Sequence, residues 1–122
     1  MIDEQWAKRF AADWIESWNS HDLDRILAHY ADDFEMSSPF IVQMGFSASG
    51  TLKGREKIRP YWEMGLARAP QLKFVLLETL VGADSLTIYY RNNTGKLAAE
   101  TLVFNERGKV VQGIAHYKPR GE

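Results

Sequence analysis

Cysteine is absent from the 122 residues of the chain, which excludes disulfides, thiolate zinc sites and cysteine nucleophiles. Long apolar runs are missing as well. No stretch approaches the roughly 18 residues that a membrane-spanning helix needs, and the first residues, "MIDEQWAKRFAADW", are charged where a secretory signal has its uninterrupted apolar segment. The expected location is therefore cytoplasmic, with no membrane partner. An excess of one charge is lacking too: 15 basic and 16 acidic residues leave a net charge of -1, with no basic run to track a phosphate backbone. Nucleic acid is not an expected partner. His21, His29 and His116 show no metal-ligand spacing, and there is neither a Gly-rich phosphate loop nor a G-x-S-x-G turn. Neither a metal nor a cofactor is expected.

What the chain does have is apolar and aromatic surface. Hydrophobic residues make up 45% of it and aromatics 12%, including four Trp, which suits one compact domain over residues 1–122 with a generously lined core or pocket. From Ile2 to about Trp18 the apolar residues Trp6, Phe10, Ala11, Trp14, Ile15 and Trp18 recur at three- and four-residue spacings, predicting an amphipathic helix. Asp22 then offers an N-cap for a short second helix carrying Leu23, Ile26, Leu27 and Tyr30. "FEMSSPFIV" (34–42) reads as a strand, with Pro39 implying an edge or a bulge. The polar, turn-rich stretch after it predicts a loop with room for one short strand. "GREKIRPYWEMGLARAP" predicts a third helix with Ile58, Tyr61, Trp62 and Leu66 on one side and a kink at Pro60. From Gln71 onward the period falls to two. "QLKFVLLETLV", "SLTIYYR", "LAAETLVF" and "KVVQGIAHYK" predict four strands joined by tight turns. Helices early and an antiparallel meander late give the α+β class.

One carboxylate stands out. In "LAAETLVF" the alternation of a strand places Glu100 on the same face as Ala98, Leu102 and Phe104, an inward face. A carboxylate among apolar neighbours either finds a partner, shifts its pKa or does chemical work.

The order of elements, with "SWNSHDLDRILAHYADDFEM" (17–36), "LKGREKIRPYW" (52–62) and "ETLVFNERGKVVQGIAHY" (100–117), resembles the nuclear-transport-factor-2-like superfamily. Within it, the SnoaL-like and ketosteroid-isomerase-like members are the most similar. The resemblance implies a cone-shaped curved antiparallel sheet wrapped around N-terminal helices and enclosing a pocket, often with homodimerisation through the outer sheet face. Position by position it also implies losses. The isomerases' general base corresponds to Ser38, their oxyanion-binding Tyr to Trp14 and its supporting Tyr to Trp62, while the protonated Asp that donates to the oxyanion corresponds to Glu100. Steroid isomerisation by the known mechanism is therefore not expected.

If the strand pairing follows the family, the pocket is bounded by Trp14, Trp18, Met36, Ser38, Trp62, Leu102, Val111, Gly113, Ala115 and Tyr117. Glu100 is then the catalytic candidate, with Gly113 beside it. Met44 and Phe46 are candidates for a lid, and the inward face of "SLTIYYR" stays open. So do three functions. The first is a cofactor-independent isomerase, lyase or cyclase that moves a proton through Glu100 on a small hydrophobic, oxygen-bearing ligand. The second is a non-catalytic binder of such a ligand, and the third is a dimeric interaction module.

Overall fold

A computed structural model describes residues 1–119. Helix α1 (Glu4–Ser20) begins where the Asp3 carboxylate accepts the Trp6 N–H at 3.0 Å, and it ends at His21, whose left-handed backbone (φ 61) returns an N–H to the Trp18 carbonyl. Its inner stripe is Ala7, Ala11, Trp14, Ile15 and Trp18, all buried. Helix α2 (Leu23–Leu27) starts at Asp22, whose Oδ1 accepts the N–H groups of Asp24 and Arg25, as an N-cap requires.

Strand β1 (Tyr30–Ser37) is shorter than the sequence suggests and starts earlier. Pro39 neither edges nor bulges a strand: it occupies the first turn of a short helix α3 (Pro39–Gln43), capped by the Ser38 hydroxyl on the Phe40 N–H at 3.2 Å. The missing N–H of proline costs nothing in that turn, and the Ser-Pro pair is a helix start signal. Strand β2 (Thr51–Lys53) lies in the turn-rich stretch. Helix α4 (Arg55–Arg68) follows Gly54, whose φ of 91 suits glycine, and runs through Pro60 as one helix with Ile58, Tyr61 and Trp62 buried.

Strands β3 (Val75–Val81), β4 (Ser85–Arg91), β5 (Leu97–Phe104) and β6 (Val110–Tyr117) form the antiparallel meander. Both the β4–β5 and the β5–β6 turns are built alike. An Asn, Asn92 or Asn105, opens each turn, its side-chain oxygen accepts backbone N–H groups across it, and a glycine at positive φ, Gly95 or Gly108, closes it. The curved open sheet has the order β2-β1-β6-β5-β4-β3. One of its pairs departs from the antiparallel pattern: β1 and β6 run parallel, because the chain crosses through β2, α4 and the meander before β6 lands beside β1. Leu86, Ile88 and Tyr90 of β4 and Ala98, Glu100 and Leu102 of β5 are buried, which settles the inward face of β4. Helix α1 packs against β3 on that side of the sheet.

Candidate functional site

A cavity of about 530 Å³ opens between the end of α1, α4 and the concave face of the sheet. Its floor is made of buried residues: Trp18, Met36, Tyr61, Trp62, Tyr90 and Glu100. Its mouth is polar and exposed, with Arg68, Gln71, Asn93 and Thr94. Two polar ties fix one lip. The Asn19 side chain bonds both backbone groups of Phe74, and the His21 Nε2–H donates to the Leu72 carbonyl at 2.8 Å; Leu72 and Phe74 both face the cavity.

The floor is also an aromatic stack. Trp18 meets Trp62 edge-on at 5.1 Å, Phe74 lies 4.3 Å from Tyr90, and Trp14 stands behind them, 5.6 Å from Tyr90. The Trp14 Nε1–H donates to the Tyr30 hydroxyl at 2.9 Å. Edge and offset contacts of this kind hold rings rigid and add roughly 0.5–1.5 kcal/mol each beyond their burial.

Glu100 sits in this floor with 5% of its surface exposed. Burial pushes its carboxyl up to about 8, and only the Tyr90 phenol acts against that rise; no basic residue does. The carboxyl is thus a neutral acid near neutral pH, able to donate a hydrogen bond. Burial also raises the phenols of Tyr30, Tyr61, Tyr90 and Tyr117, and the charge on Glu100, when present, raises each of them further. The Ser38 hydroxyl interacts with Tyr61 and Tyr117 and partly offsets their rise. Ser38, the phenols of Tyr61, Tyr90 and Tyr117 and the Glu100 carboxylic acid therefore form a polar cluster within an apolar floor. Such a cluster can donate to a ligand oxygen and pass a proton, and near neutral pH it adds no charge.

The structure brings Trp18, Met36, Trp62, Glu100 and Tyr117 together around the cavity. It places the other expected residues differently. Trp14 is fully buried one layer behind, and Ser38, although its hydroxyl reaches the Tyr61 and Tyr117 phenols, is buried where it caps α3 and does not itself line the cavity. Leu102 is fully buried opposite Gly113, while the direct neighbour of Glu100 is Ala115, not Gly113. The space beside Gly113 is not left for a ligand: an added Cβ would meet Met36 Sδ at 3.0 Å and Leu102 Cδ2 at 3.4 Å. Val111 does not face inward. A β-bulge puts Val103 opposite Gln112 and Phe104 opposite Val110, so Val111 is the extra residue and Val110 takes the buried position. Of the two lid candidates, Met44 lines the cavity and Phe46 packs on the Tyr61 ring at 5.6 Å.

Tyr61, Tyr90, Phe40 and Phe74 also line the cavity and were not singled out in the sequence as site residues. A signal for Tyr90 was there. An Asn-x-x-Gly turn that pairs Asn92 with Lys96 aligns Arg91 with Leu97, and Tyr90 then shares the face of Ala98 and Glu100.

A curved open sheet over N-terminal helices, with a lone buried acid in its concave floor, defines an α+β pocket protein of the nuclear-transport-factor-2-like kind. The SnoaL-like domain family matches residues 11–121, and the chain belongs to it. Among solved structures it is similar to a SnoaL-like protein of unknown function from Burkholderia thailandensis, with 47% identity, 97% of this chain and 98% of that one covered, and a TM-score of 0.92. The fold is shared with the epoxide hydrolase/cyclase-like enzyme SalBIII, of pyran ring formation in the polyether salinomycin, at 17% identity over 97% and 95% of the two chains (TM-score 0.75). It is shared as well with a nuclear-transport-factor-2-like protein of unknown function from Cytophaga hutchinsonii, at 14% identity over 93% and 91% (TM-score 0.69). No curated protein matches the chain.

Proposed function

We propose that the chain binds a small hydrophobic molecule bearing a carbonyl or ether oxygen, and that Glu100 donates a proton or hydrogen bond to that oxygen in an isomerase-, lyase- or cyclase-type reaction. The observation that carries this reading is a buried acid without a cationic partner, raised to about 8, in the floor of a cavity of ligand size. A structural carboxylate would be expected to have an ion pair. The ring-closing activity named for the SalBIII relative gives this proposal a chemical precedent on the same fold.

The test is deuterium exchange. Bicyclic ketones and enones incubated with the protein in heavy water should gain deuterium next to the carbonyl, solvent taking the α-proton and returning a deuteron while the Glu100 acid donates to the carbonyl oxygen, and Glu100→Gln should slow the gain. If the ketones bind but exchange no faster than without protein, the chain is a binder and not an enzyme of this class.

We also propose that the outer sheet face mediates homodimerisation. The register aligns Leu80, Thr87, Thr101 and Ile114 in one row across four strands, and Leu80 is 60% exposed. Leu80 and Ile114 make this row apolar at both ends, with the Thr87 and Thr101 hydroxyls paired to each other between them, and such a row on an uncovered face favours a second copy.

A further inference from the structure

Among the described residues, two charged ones line the cavity, Glu100 at its floor and Arg68 at its mouth. Arg68 is exposed at the last turn of α4 and has no ion pair among the described residues. The groove next to the mouth has the same sign. It shares Phe40, Thr94 and Tyr117 with the cavity, and among the described residues its charged ones are Arg91, Lys96 and Lys118, with no carboxylate. Lys96 is held at this boundary, its ammonium 5.9 Å from the ring centres of both Phe40 and Tyr117. The chain as a whole carries a net charge of -1, so four cations around one opening are a local concentration and not a reflection of composition.

We propose that the ligand is an amphipathic anion, a molecule whose ring or chain fills the aromatic floor while a carboxylate or similar group stays at the mouth against Arg68. This rests on the pocket reading above and names the ligand class for it. The orientation follows from desolvation. An anion at the floor would lose its water among Trp18, Trp62 and Tyr90 with no cation to meet it, whereas at the mouth it keeps part of its hydration and gains a guanidinium. The neutral state of the Glu100 carboxyl below about pH 8 leaves the interior without a repelling charge.

The test uses a matched pair of probes, 1-naphthylacetate and its neutral isostere 1-naphthylacetamide, titrated by calorimetry at about pH 6.5 into the wild-type chain, Arg68→Gln and Arg107→Gln. Arg107 is exposed in the β5–β6 turn, away from the mouth, and serves as the charge control. Wild type should bind the acid about two- to fivefold more tightly than the amide, the size expected of one solvent-exposed ion pair. Arg68→Gln should remove that preference, while Arg107→Gln should retain it. Equal binding of the two probes by wild type, or a preference that survives Arg68→Gln, overturns the inference and leaves the pocket reading standing. Failure of both probes to bind overturns the pocket reading and this inference with it.

Discussion

The side-chain amide of Asn19 takes both backbone hydrogen bonds of Phe74, accepting its N–H at 2.7 Å and donating to its carbonyl at 3.0 Å. One side chain thus does for Phe74 what a neighbouring strand would do, and it ties the lip of the cavity to the end of α1. Asn19→Ala leaves both groups without a protein partner in a half-buried setting. The expected loss is about 1–3 kcal/mol in urea unfolding, with faster amide exchange at Phe74. Asn19→Asp should recover part of the stability, because it keeps the acceptor and loses the donor.

Stability should depend on pH through Glu100. The folded chain keeps this proton up to about pH 8, whereas the unfolded chain releases it near the ordinary carboxyl value of 4.5. Between those values the folded state binds more protons, so stability falls as pH rises through this window and levels off above it. At roughly 1.4 kcal/mol per pKa unit the fall amounts to a few kcal/mol. Glu100→Gln should flatten this slope and should be more stable than wild type above about pH 8, as read by urea midpoints across the range.

Tyr90→Phe removes the one group that holds the Glu100 carboxyl down. The acid should then titrate at a higher pH than in wild type, measurable by carbon-13 chemical shifts of the glutamate carboxyls. An unchanged or lowered midpoint would mean that the Tyr90 phenol does not act on Glu100.

The row of Leu80, Thr87, Thr101 and Ile114 gives the dimer proposal its check. Wild type should have twice the chain mass in light scattering at micromolar concentration, and Ile114→Glu should have the single-chain mass with its far-ultraviolet spectrum intact. A monomeric wild type removes the proposal.

Much of this architecture was legible because local signals and tertiary structure agree. The helix stripe from Trp6 to Trp18, the Asp22 cap and the period-two strands each name their own element, and the alternation around Glu100 gives its face directly. In "SWNSHDLD" the reason for the wording is now visible: Trp18 forms the cavity wall, Asn19 holds Phe74 and Asp22 caps α2. What was not legible depends on single-residue offsets. The bulge at Val111 turns Val110 inward in its place at the start of β6, leaving Gly113, Ala115 and Tyr117 on the expected side, and nothing in "KVVQGIAHY" separates Val110 from Val111. Of the three phenols, Tyr117 follows from the pairing of β6, but Tyr61 and Tyr90 were not singled out: the resemblance points to Trp14 and Trp62, where hydroxyls are lost, and not to α4 and β4, which supply them.

The parallel pairing of β1 with β6 also fixes an order of events during synthesis. Strand β1 leaves the ribosome early, yet one of its two neighbours in the sheet is β6, with Tyr30 meeting Val110 and Met36 meeting Gly113. Until β6 emerges, β1 and β5 each have an open edge, and the floor lacks its Tyr117 wall. A chain ending at Lys109, without β6, should therefore be cut readily by protease and prone to associate, whereas a chain that carries β6 outside the ribosome should be closed and resistant.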